Sequence, residues 1–68
     1  MKLIDLLYTL DPGDLIRLCD AEGTKLLHDD LDIPVYATPK ECRDLTVREL
    51  DYGRASLGYP ILVIYLEA

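Results

Sequence analysis

The chain has 68 residues, half of them apolar, a net charge of −6 and two cysteines, with neither Trp nor Phe. That length allows one domain, residues 1–68, and leaves no room for a separate cofactor domain. The apolar content argues against disorder, and a pI near 4.4 argues against direct contact with nucleic-acid phosphates.

Lys2 to Leu10 reads as a short amphipathic helix. Leu3, Leu6, Leu7 and Leu10 fall on one face at helical spacing, and Ile4 widens the stripe. Asp11-Pro12-Gly13-Asp14 ends it, because proline cannot continue a helix and glycine takes positive φ freely. Leu15 to Asp20 reads as a strand, with Leu15, Arg17 and Cys19 on one side and Ile16, Leu18 and Asp20 on the other. Asp20-Ala21-Glu22-Gly23 suits a type I hairpin turn with Gly at the bulge position, and Thr24 to His28 is its expected return strand.

Asp29 to Pro34 is an acidic loop, and Val35-Tyr36-Ala37 is expected to be briefly extended. Thr38-Pro39-Lys40-Glu41 carries a helix start: Thr38 as N-cap, Pro39 at the first helical position and Glu41 closing a capping box. A short helix is expected from Pro39 to about Leu45, then a third strand from Thr46 to Tyr52 and a glycine-containing loop from Gly53 to Tyr59. Pro60 opens the last strand, Ile61 to Leu66. It is apolar on both faces and so is expected at the centre of the sheet.

These elements imply an α+β domain: a small antiparallel sheet of about four strands, an N-terminal helix packed on one face and a short second helix. One short helix cannot cover both apolar faces of the last strand, so the chain is expected to form a homo-oligomer. The longest apolar run, Ile61 to Leu66, is six residues, against the roughly 20 that a membrane-spanning helix needs. With no leader-like segment in Met1 to Asp5 and only Cys19 and Cys42 as thiols, a cytoplasmic protein with reduced cysteines is expected.

The candidates for chemistry are few. His28-Asp29-Asp30 with Cys19 or Cys42 has ligand types that zinc accepts, but no metal-site spacing, and a solvated turn is the plainer reading. Cys19 lies two residues from Arg17, and Cys42 falls in a first helical turn where the dipole favours thiolate. Buried small apolar groups are the plainer reading of both. Ser56 and His28 are the only residues of their types, and Gly53 to Gly58 lacks the Lys-Ser/Thr of a phosphate loop. No metal, cofactor or catalytic group is expected.

Two surfaces could instead bind a partner. Asp20, Glu22, Asp29, Asp30 and Asp32 gather at the hairpin tip and following loop, and Glu49 and Asp51 alternate on the third strand. Such a face can imitate a phosphate backbone in another protein's basic cleft, or merely solubilise the domain. Tyr52 and Arg54 before the glycine loop, with Tyr59 after it, are residue types that dominate binding hot spots. Across a symmetric interface they could also clasp a small anionic ligand such as a nucleotide.

In layout, MKLIDLLYTL, the hairpin in DLIRLCDAEGTKLL and the closing strand PILVIYLE resemble the small acidic α+β accessory proteins of prophages and mobile elements. That resemblance implies an inhibitor of host defence, of anti-CRISPR or related type. The expectation is a non-catalytic acidic protein that docks on a larger, nucleic-acid-handling protein through Asp20, Glu22, Asp29, Asp30, Asp32, Tyr52, Arg54 and Tyr59. The alternative is an oligomeric nucleotide binder built on Tyr52, Arg54 and Tyr59.

Overall fold

A computed structural model describes residues 1–27, 32–55 and 57–67. In chain order they form α1 (Leu3–Leu7), β1 (Leu15–Asp20), β2 (Ile33–Pro34), a 3-10 turn (Val35–Ala37), α2 (Lys40–Arg43), β3 (Thr46–Arg54) and β4 (Pro60–Glu67). The strands make one sheet in the order β2-β1-β4-β3. The α+β class, the number of strands, the N-terminal helix and the short second helix all follow the expectation, as does the inner place of β4.

The sheet is mixed rather than antiparallel. β1 and β4 run parallel, from Ile16 opposite Leu62 to Asp20 opposite Leu66. The β1–β2 and β3–β4 pairs are antiparallel. Side-chain alternation fixes the face a residue takes but not its neighbour's direction, so both sheets read alike in sequence. The long chain between β1 and β4 supplies the crossover that parallel neighbours require.

One face carries the core. Leu3, Leu6 and Leu7 of α1 pack on Ile16 and Leu18 of β1 and Ile64 and Leu66 of β4, with Ile33, Val35 and Cys42 closing the sides. The helix starts beside β3, where the Leu3 N–H donates to the Leu45 carbonyl at 2.9 Å and the Val47 N–H donates to Met1 at 2.8 Å. No described helix is long and apolar enough to cross a membrane.

The opposite face is closed by the chain's own groups. Arg17, Val63 and Asp51 share a row across three strands. The Arg17 guanidinium reaches past Val63 and over Gly53, where no side chain obstructs it. There its Nη2 donates to the Arg54 carbonyl at 2.8 Å. Behind it, Nε and Nη2 contact Asp32 Oδ1 at 3.0 and 2.9 Å. Cys19, Ile61 and Val63 are buried on this face.

Several local expectations are corrected. The return of the first hairpin is not a strand. It makes one bridge, Cys19 with Leu26, flanked by hydrogen bonds from the Asp20 N–H to Lys25 O (3.0 Å) and from the Leu27 N–H to Leu18 O (2.9 Å). The rest of that edge of β1 goes to Ile33 and Pro34, and proline, lacking an N–H, ends the pairing. Val35 to Ala37 is a 3-10 turn, not extended. That turn gives the Thr38 hydroxyl a nearer acceptor, Val35 O at 2.8 Å. Pro39 takes the N-cap of α2 with no side-chain cap, so the Thr38–Glu41 capping box does not form. The Gly23 turn forms as expected, with φ +72° and its N–H donating to Asp20 O at 3.0 Å.

Candidate functional site

β3 runs two residues further than expected, to Arg54, which brings Gly53 and Arg54 into the strand. The β3–β4 loop is correspondingly tight. The Gly58 N–H donates to Ala55 O at 2.8 Å, the Ala55 N–H to Tyr59 O at 2.9 Å, and Gly58 takes φ +92°. Alternation of the antiparallel ladder from the Ala55–Tyr59 bond turns the backbone of Leu50 and Tyr52 toward the free edge of β3. There the Tyr52 N–H is already taken by Asp51 Oδ1 at 2.8 Å. An occupied donor of this kind discourages edge-to-edge pairing.

At this end of the sheet the chain forms a cleft of about 340 Å³. Tyr52 stands on one wall and Tyr59 and Pro60 on another. Leu62, Leu10 after α1 and Asp14 of the turn before β1 also line it. Asp14 Oδ2 accepts the Asp11 N–H at 3.3 Å. Its backbone is held separately, the Val35 N–H donating to its carbonyl at 2.9 Å. Tyr52 is 79% exposed and Leu57, at the tip of the adjoining loop, is 84% exposed. Leu50 is also exposed and shares Tyr52's face of β3, two residues away.

The structure brings together only some of the residues expected to bind a partner. Tyr52 and Tyr59 share the cleft. Arg54 does not line it; its Nη1 donates to Gly58 O at 2.8 Å. Among the described residues no cationic one lines the cleft, so the geometry does not favour an anion held by Arg54 between the tyrosines. Asp20 and Glu22 lie at the opposite end of the sheet. Along β4 the Asp20–Leu66 and Arg54–Pro60 pairings are six residues apart, about 20 Å at roughly 3.3 Å per residue. Asp32 is engaged with Arg17 on the other face. Asp29 and Asp30, with His28, lie outside the described residues, as does Ser56.

Asp20 serves its own turn. Its carboxylate accepts the Thr24 hydroxyl and the Thr24 N–H, each at 2.7 Å, and the Lys25 N–H at 3.3 Å. The Thr24 hydroxyl is the largest cause holding this carboxyl below its ordinary value. Glu22 is exposed. Both cysteines are free and buried. Burial pushes the Cys19 thiol up, against the lowering effect of Arg17. At Cys42 burial and the Glu41 charge both raise it. These environments are the reverse of those that activate a nucleophilic thiol. Among the described residues no three His, Cys, Asp or Glu side chains group as a metal site.

Leu10, Asp14 and Leu57 belong to this surface without having been singled out from the sequence. Leu10 was legible only as the last apolar position of the helical stripe, and Asp14 only as a turn residue. No protein-family model matches the chain, and no match was found among the curated proteins or the solved structures.

Proposed function

We propose that the protein is a non-catalytic binding protein whose partner, a larger protein, seats on the aromatic end of the sheet. One observation carries the reading: Tyr52 and Tyr59 line a cleft and are exposed, as are Leu50 and Leu57, each two residues along the chain from one of them. Aromatic and aliphatic side chains grouped around a concavity are what protein interfaces bury at their centres. The thiols are buried and held protonated, which fits binding rather than covalent catalysis. Such a binder suits the accessory-inhibitor role that the resemblance implies, with a nucleic-acid-handling protein as partner. We place the contact at the cleft rather than along the acidic hairpin because the Asp20 and Asp32 carboxylates already bond to the chain's own groups, Thr24 and Arg17.

The test is photo-crosslinking in the producing cell from benzoylphenylalanine at Leu57, compared with the same group at Glu22. The expected result is a discrete protein adduct from position 57 that Tyr52→Ala abolishes. No adduct at 57, equal adducts from both positions, or adducts indifferent to Tyr52→Ala would overturn the proposal.

A further inference from the structure

We infer that the cleft receives a lysine side chain of the partner, its methylene stem against the tyrosines and Leu62 and its ammonium at Asp14. The inference rests on the docking reading above and names the group that enters. Among the described residues Asp14 is the only charged one of the lining and it is exposed, so the cleft offers one accessible negative charge beside apolar and aromatic groups.

The arginines that share the sheet are committed elsewhere. Arg17 binds Asp32 and Arg54 O, Arg48 binds Glu67 at 3.0 Å, and Arg54 binds Gly58 O. The chain's net charge of −6 adds a long-range attraction for cations.

The occupant must therefore be cationic at one end and apolar along its length. Tyrosine faces attract a cation through their quadrupole and accept methylene groups equally well. A lysine meets both needs. Arginine would meet Asp14 through a bidentate fork in which one oxygen, Oδ2, is shared with the Asp11 N–H, so the peptide comparison below sets lysine against arginine directly. The cleft, about 340 Å³, lies near the lower end of the ~300–1,000 Å³ typical of ligand pockets, a size suited to one long side chain.

The test uses the full chain, labelled with nitrogen-15, and four capped pentapeptides Gly-Gly-X-Gly-Gly with X as lysine, norleucine, arginine or glutamate. Titration into the tens of millimolar should give saturable shifts at the Leu15, Tyr59 and Leu62 amides with the lysine peptide. Norleucine should bind about threefold to tenfold more weakly, the range expected for an exposed cation–π contact with a nearby carboxylate. Asp14→Asn should remove that preference without altering norleucine binding, and added salt should weaken lysine while sparing norleucine. Tyr52→Ala should weaken both.

Equal binding of lysine and norleucine, or a preference that survives Asp14→Asn, would overturn the lysine assignment and leave an apolar docking pocket. Tighter binding of arginine, or binding of glutamate, would overturn it as well. If no peptide binds, the inference fails, and crosslinking from Leu57 decides the docking reading separately.

Discussion

Among the described residues two ion pairs have nearly equal length in opposite surroundings, and this sets up an internal comparison. Arg17 and Asp32 meet at 2.9 Å with side chains 17% and 9% exposed, whereas Arg48 and Glu67 meet at 3.0 Å with 60% and 42% exposed. At an effective dielectric of about 20, charges about 4 Å apart attract by roughly 4 kcal/mol. For the Arg17 pair, the desolvation already incurred on folding offsets part of this. We expect Asp32→Asn to cost about 1.5–2 kcal/mol. Arg17→Met should cost about 2–3 kcal/mol, since it also leaves a buried carboxylate unpaired and Arg54 O without its donor. Their coupling in a double-mutant cycle should be about 1.5–2 kcal/mol, against under about 0.5 kcal/mol for Arg48→Met with Glu67→Gln. A domain of this size has roughly 3–10 kcal/mol of stability in all, so the Arg17 variant should be visibly weakened. Urea unfolding followed by far-ultraviolet circular dichroism, in low and high salt, gives the four energies. Salt should erase the exposed coupling and spare the buried one. Equal couplings would refute the view that burial of the Arg17 pair, rather than its length, makes it matter.

Gly23→Ala meets two penalties, a φ of +72° and Tyr65 Cε1 at 3.0 Å from the new Cβ, whereas Gly58→Ala has φ +92° and open space. Left-handed backbone costs about 1–2 kcal/mol in each, so Gly23→Ala should melt lower. Equal melting temperatures would mean that the tyrosine ring yields freely. The fold holds the Asp20 carboxyl below its ordinary 3.8; ionised Asp20 therefore stabilises the fold above that value, and the benefit is lost as pH falls through the lower folded value. The melting-temperature gap between wild type and Asp20→Asn should narrow below pH 3.8, and a gap constant down to pH 2 would refute the role of the Thr24 bonds. Cys19 and Cys42 are raised above 9.0 by burial, so a disulfide reagent at pH 8 should label the native protein on the order of 100-fold more slowly than the urea-unfolded chain. Labelling of the native chain at the unfolded rate would show that the thiols are accessible.

Much of the fold is legible because local chemistry decides it. The apolar spacing of Leu3, Leu6 and Leu7, the Asp20–Gly23 turn and the two-faced apolar run of β4 each specify their element without help from distant residues. The return of the first hairpin was misread because Thr24 to His28 and Ile33–Pro34 compete for one edge of β1, and that contest is settled by where β2 and the 3-10 turn are anchored. The direction of β4 relative to β1 was invisible for the reason that alternation carries no polarity. The candidate site inherits that blindness. Tyr52 and Tyr59 stand out as residue types on a hairpin, but Asp14 joins them only because the parallel pairing sets the start of β1 beside the start of β4. Asp20 and Asp32 looked like surface charge until their partners, Thr24 and Arg17, were placed.

The inner position of β4 also governs the order in which this chain can acquire structure. β1 and β3 are not neighbours; each takes its place through β4, the last strand in the sequence. A ribosome making the chain therefore releases α1, the first turn, α2 and β3 before the strand that unites them exists. Ile16 and Leu18 have little sheet to pack in until then, and the contacts that finally bury them span most of the chain. Long closures of this kind slow folding and leave apolar surface open in the interval. The domain should thus assemble in one late step, with the nascent chain depending until then on whatever shields its leucines.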